Sequence, residues 1–225
     1  MKNIKYLTIA LFAASFVILT SAKTADSDKE RERIENAANV VEDFGKMKES
    51  IPHQMIVDCE GIIIIPKMLN AGFIVGAKRG RGIAMVKLEN GKWSNPVFIT
   101  LTGGSVGAQI GVQSVDLVLV FQHKGVLTKV QNGDFTIGGD ISAAAGPVGR
   151  SSTASTDYKM EAEVYSYSRS RGLFAGISIA GASLSIDKKA ISNFYGDNFT
   201  SQQLFESSQT SSDAIKNVKE NLNKL

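Results

Sequence analysis

Lys78, Arg79 and Arg81 fall within four consecutive positions, and Gly80 and Gly82 punctuate them. Guanidinium groups bind phosphate in a fork and an ammonium binds it as a point charge. Glycines in a turn leave backbone N–H groups open to an anion. Lys78-Arg79-Gly80-Arg81-Gly82 therefore fits a turn that seats a lipid phosphate, with Lys67 ahead of the hairpin as a fourth cation. The same residues also fit an ordinary solvated hairpin tip, and both readings stay open at this level. Arg169 and Arg171 form a second basic turn, and Arg150 ends another. Simple exposure is expected there, because surface cations are common.

Catalytic patterns are sparse. Gly103-Gly104-Ser105-Val106-Gly107 matches G-x-S-x-G, the nucleophile elbow. That motif requires a strand–turn–helix context and a later acid and His. A strand-like alternation follows Ser105 instead, and the one His downstream is His123. A serine esterase using Ser105 is thus a minor alternative. Ser185-Ile186-Asp187-Lys188 matches S-x-x-K without a K-T-G partner, which makes chance the better account. His53 and His123 have no acidic cluster at ligand spacing, so neither a metal nor a cofactor is expected. Asp116 and Asp140 interrupt apolar strands, and each needs a partner or solvent. Cys59 is the single cysteine. It excludes an internal disulfide, and its position before an isoleucine run predicts a buried, inert thiol.

The first residues read as a signal peptide. Lys2 and Lys5 make a positive start, Tyr6 to Leu19 is apolar, and Thr20-Ser21-Ala22 places small residues at a cleavage site. The apolar run is shorter than the roughly 20 residues of a spanning helix. The expectation is export, with cleavage near Ala22, to the periplasm or the outside. The net charge of the 225-residue chain is +3. Losing an acid-free leader with Lys2 and Lys5 takes it to +1, which gives no reason to expect nucleic-acid binding. Residues 23–225 are expected to form one domain.

The elements follow from periodicity. Ser27 to Lys48 has apolar residues at three- and four-residue steps, from Ile34 to Met47, and reads as an amphipathic helix. It suits docking on the domain, or lying on a bilayer; its mixed-sign polar face favours docking. Pro52 ends it, and a short helix covers His53 to Asp58. Strands are predicted at Ile62–Ile65, Phe73–Ala77, Ile83–Leu88, Trp93–Leu101, within Ser105–Gln122, and at Phe135–Ala145. A hairpin follows, from Lys159 to Ile186, turning at Arg169–Gly172. Asn90-Gly91 marks a hairpin turn. Lys188–Tyr195 is a short helix closed by Gly196, and Ser212 or Asp213 caps a last helix through Leu225. The fold class is α+β: a curved, mostly antiparallel sheet, barrel- or sandwich-like, with flanking N- and C-terminal helices.

Three segments, starting at Gly103, Gly138 and Gly172, are paved with Gly, Ala and Ser. Glycine weakens an ordinary strand, so its clustering points to sheet curvature and close packing, ahead of ligand contact. Several stretches together resemble the SYLF (Ysc-type lipid-binding) domain family. They are Gly61-Ile62-Ile63-Ile64-Ile65-Pro66-Lys67, Gly76 to Gly82, Trp93 to Phe98, Gly103 to Phe121, Gly138 to Arg150, Tyr165 to Gly176 and Asn193-Phe194-Tyr195-Gly196. The resemblance covers roughly residues 35–197 in the family's order. It implies a lipid-binding, non-enzymatic module. Eukaryotic relatives bind phosphoinositides, some act with actin, and bacterial relatives are commonly exported. The expected partner is an anionic phospholipid or membrane surface. The alternative is an envelope assembly protein that binds a protein partner.

Overall fold

A computed structural model describes residues 27–47, 50–123, 135–140, 142–146, 162–170, 173–174, 179–209 and 212–225. The signal-peptide segment, Arg150 and Arg171 lie outside the described residues.

Two long strands organise the molecule. β1 (Gly61–Val86) and β2 (Val97–Phe121) pair antiparallel along almost their whole length, from Gly61 opposite Phe121 to Ala84 opposite Val97. Asn90-Gly91 turns the chain between them, with Gly91 at φ 76 and its N–H donating to the Leu88 carbonyl at 2.8 Å. Five shorter strands join the sheet among the described residues: β3 (Phe135–Thr136), β4 (Ala143–Ala145), β5 (Val164–Ser170), β6 (Leu173–Phe174) and β7 (Ala182–Ile186). The order is β3-β7-β2-β5-β4, with β1 along β2 and β6 on β5. β7 pairs with part of the first half of β2 and β5 with part of the second, and among the described pairs only β4 with β5 is parallel.

Several predicted strands are merged or divided. The turn expected at Lys78–Gly82 is absent, because Phe73–Ala77 and the predicted strand from Ile83, as far as Val86, belong to one continuous β1. The segment from Trp93 through Gln122 is likewise dominated by one strand, β2; Trp93 itself makes only an isolated bridge to Lys87. Phe135–Ala145 splits into β3 and β4, which pair with different strands. The turn between them has Gly138 at φ 83, and Asp140 there accepts the Thr136 N–H at 2.8 Å.

The glycines of β1 serve curvature. A Cβ on Gly82 would overlap the Ile64 carbonyl oxygen, and one on Gly80 would overlap the Ile65 side chain. The second half of β1 thus packs directly over its first half. The Lys87 N–H then donates to the Glu60 carbonyl at 2.9 Å, so the end of β1 meets its own beginning. Such a curl requires a backbone with nothing projecting at the crossing.

Helices cover the sheet. α1 (27–46) buries Ile34, Ala37, Ala38, Val40, Val41 and Phe44. α2 (His53–Asp58) follows Pro52. α3 (Lys188–Tyr195) packs Phe194 edge-to-face against Phe98 with ring centroids 5.6 Å apart. α4 (Ser201–Glu206) opens on a Thr200–Gln203 capping box. α5 (Asp213–Lys224) is capped by Ser212, whose hydroxyl accepts the Ile215 N–H. It docks on α1, where Asn221 donates to the Ala38 carbonyl at 3.0 Å. One apolar cluster runs from Ile34 in α1 through the sheet to Leu222 in α5. Cys59 is buried within it, and burial pushes its thiol up to about 11.

Candidate functional site

The four cations singled out in the sequence all sit on β1, but they do not form one cluster. Strand geometry sends successive side chains to opposite faces. Arg79 and Arg81 are exposed, while Lys78 between them is buried at 6% exposure. Burial lowers the Lys78 pKa from its usual range. Lys67 is exposed in the first half of β1, in the bulge between Ile65 and Met68. Its φ of 49 places it in the left-handed region, and its N–H donates to Asp116 Oδ1 at 2.9 Å. The convergent turn expected around Lys78, Arg79 and Arg81 is therefore corrected to a pair, Arg79 with Arg81.

The register shows what lies beside that pair. Arg79 is opposite Thr102, which is opposite Ser183, which is opposite Thr136. Arg81 is opposite Thr100, which is opposite Ser185. Directly opposed side chains stand roughly 5 Å apart on one face. The other face carries Leu101, Leu184 and Phe135, all buried. The result is a sheet face with two guanidinium groups on its β1 edge and two rows of hydroxyls running inward. Arginine supplies charge-assisted donors, and hydroxyls both donate and accept. The arrangement suits an oxyanion carried on a polar group. Sequence reading missed the hydroxyls, although Arg79-x-Arg81, Thr100-x-Thr102 and Ser183-x-Ser185 all carry the alternating signal.

Arg169 differs from its expected role as an exposed cation. It donates to Asp116 Oδ2 at 2.6 Å and to Asp43 Oδ2 at 2.7 Å, joining β5, β2 and α1. Burial works against its charge, and the bonds to Asp116 and Asp43 outweigh that and raise its pKa. This gives Asp116 its partner. At the other end of α1, Arg33 bonds Asp187 at 3.2 Å and lies 5.1 Å from the Phe98 ring centroid. Asp187 also caps α3 by accepting the Ala190 N–H at 3.1 Å. With both ends pinned and its apolar stripe buried, α1 is docked on the domain. Its apolar side is not available to a bilayer in this state.

The G-x-S-x-G sequence lies within the continuous strand β2. A nucleophile elbow needs a sharp strand-to-helix turn at the serine, so the backbone at Ser105 lacks that geometry. No described helix is long and apolar enough to cross a membrane, which leaves strand-based crossing unaddressed.

Residues 102–225 match the family model described as "Ysc84: Las17-binding protein actin regulator". The match begins inside β2, so Lys67, Lys78, Arg79 and Arg81 precede it. Among curated proteins, the chain is 37% identical over 147 residues to "SH3 domain-containing YSC84-like protein 1" of Xenopus laevis, covering 65% of this chain and 44% of that protein. It is 34% identical over 177 residues to "Protein YSC84" of Saccharomyces cerevisiae, covering 75% and 38% respectively. The human "SH3 domain-containing YSC84-like protein 1" is 36% identical over 146 residues, covering 64% and 42%. The chain spans less than half the length of these relatives.

Proposed function

The chain belongs to the Ysc84 family, and on that premise we propose that it is an exported, non-enzymatic domain that binds anionic lipid at a membrane surface. The observation that supports this most is the exposed Arg79–Arg81 pair beside Thr100, Thr102, Ser183 and Ser185. The two arginines attract the phosphate, and the hydroxyls complete hydrogen bonds to the headgroup. Lys67 adds charge elsewhere on β1. Lys78 is buried and contributes little to the surface field.

Flotation with liposomes tests the proposal. The chain should begin at Lys23, since the apolar segment 6–19 would carry any protein into lipid. Binding to phosphatidylglycerol vesicles, weak binding to phosphatidylcholine, and loss at high salt are expected. Arg79→Gln with Arg81→Gln should weaken binding by about tenfold or more, given about 1 kcal/mol per cation near an anionic surface. Unchanged binding would remove the arginine pair as the headgroup site. Export is tested separately: the N-terminal sequence of protein recovered outside the cytoplasm should start at Lys23.

A second reading has support from the family description, which names a protein partner, Las17. In that reading the same polar face binds a protein of the cell envelope. Membrane recruitment that ignores salt and needs a protein partner would favour it.

A further inference from the structure

The middle of the two long strands has no third strand among the described residues, and the headgroup site does not use it. β5 pairs with β2 only as far as Asp116, and β7 only as far as Gly103. Between those limits the described pairing of β2 is with β1 alone, a two-stranded ribbon. Five large apolar side chains are exposed among the described residues: Val57, Leu69, Val112, Leu173 and Phe199. Two of them, Leu69 and Val112, lie on this stretch. Leu69 is 51% exposed and opposite Ser114, and Val112 is 76% exposed and opposite Ala71, so Leu69 and Val112 are diagonal neighbours on one face. Leu173, 73% exposed, is opposite Ser170, the neighbour of Arg169, and Arg169 is opposite Asp116, so Leu173 lies on the other face of the sheet from Leu69 and Val112.

The charged side chains of β1, and of β2 as far as Gln113, have one sign. β1 contains no acid along its length, and β2 contains none before Asp116. Asp116 is engaged by Arg169. Lys67, two residues from Leu69, is exposed. Exposed apolar side chains flanked by a cation, on a segment without unpaired acids, complement a surface that is negative outside and apolar beneath.

We propose that this middle stretch of the β1–β2 ribbon is the membrane-inserting element, with Leu69 and Val112 entering the interfacial region of an anionic bilayer while Lys67 stays among the phosphates. The inference rests on the lipid-binding reading above and names the surface that enters the lipid. It assigns insertion to the sheet and leaves α1 docked.

The chain has one tryptophan, Trp93, which is buried at 3% exposure and serves as an internal reference. Val112→Trp places a second indole in the ribbon, and Gln202→Trp places one at an exposed position of α4 as a control. With vesicles of brominated phosphatidylglycerol, the indole introduced by Val112→Trp should be quenched and blue-shifted, while that introduced by Gln202→Trp should not. Leu69→Ser with Val112→Ser should lower partitioning about tenfold or more, because two apolar side chains no longer leave water. Its circular dichroism should match the parent. Flotation of the Val112→Trp protein without quenching of its ribbon indole would overturn insertion by the ribbon and leave lipid binding intact. Absence of flotation by the parent would overturn both. A dimer in solution that Leu69→Ser with Val112→Ser dissociates, with lipid partitioning unchanged, would also overturn it by giving the patch a second copy of the chain as its occupant.

Discussion

Arg169 shows how far a single side chain's role can depart from its local setting. Its position between Ser168 and Ser170 reads as part of a basic turn. Its partners lie 53 and 126 positions away, at Asp116 and Asp43. No local pattern announces contacts at that separation. The guanidinium is 16% exposed and Asp116 17%, so this bond is largely withdrawn from water, whereas Asp43 at 44% is a weaker, screened partner. Removing one member of a shielded pair strands the other. Arg169→Gln should therefore destabilise the fold by about 2 kcal/mol, read as a lower urea midpoint. In a double-mutant cycle, Asp116→Asn should recover part of that loss; strict additivity would mean that the pair is not coupled. The site residues divide in the same way. The types and spacing of Arg79 and Arg81 were legible, but Lys78 was misplaced, because a turn and a strand put the middle residue on different sides.

At the scale of elements, the helices were the most legible. Pro52 before α2, Asp187 before α3 and Ser212 before α5 act through neighbours three or four residues away, which sequence displays directly. α4 was overlooked although Thr200-x-x-Gln203 spells its capping box. Ser212→Ala should cost about 1 kcal/mol by loss of the α5 cap, measurable by thermal unfolding. The strands were harder. Glycine between strand-like segments reads as a turn, and at Gly80 and Gly82 it instead permits one strand to pass over itself. Gly82→Ala and Gly80→Ala separate these accounts. Gly82→Ala drives a methyl into backbone at Ile64, which cannot move aside, and should be the more damaging. Gly80→Ala meets the Ile65 and Met68 side chains, which can shift, and should be milder. Equal tolerance of both in urea unfolding would contradict a tight crossing.

For the whole molecule, Lys219 joins regions that are remote in the chain. From α5 it donates to Asn95 Oδ1 at 3.1 Å, in the β1–β2 connection, and to the Ser208 carbonyl at 3.0 Å, after α4. Burial pushes its pKa down to about 8, from 10.5. Between these values the unfolded chain holds a proton that the folded chain has released. Stability from this group therefore rises as pH climbs from about 8 towards 10.5, and is lowest where both states are charged. Cys59 acts in the opposite sense: its thiol is raised from 9.0 to about 11, so folding loses stability as pH rises above 9. Lys219→Met should remove the Lys219 part of the rise. The difference between parent and variant across pH 7 to 10, by urea unfolding, isolates it, and an identical pH profile would refute the assignment.

The features readable from the order of residues alone were local and periodic: the helix spans and their caps, the Asn90-Gly91 turn, the apolar character of the β1 and β2 segments, and an α+β class with helices at both ends. These depend on interactions within a few residues, or on a repeat of 2 or 3.6, and both are written in the succession of side chains. It took the folded chain to establish that β1 is one strand curled onto itself, that Phe135 and Ala145 belong to different strands, and that Arg169 is a clamp. Folding also turned Lys78 away from Arg79 and Arg81. Each of these depends on which distant backbone or side chain lies opposite, and glycine and arginine suit either surrounding until that neighbour is in place.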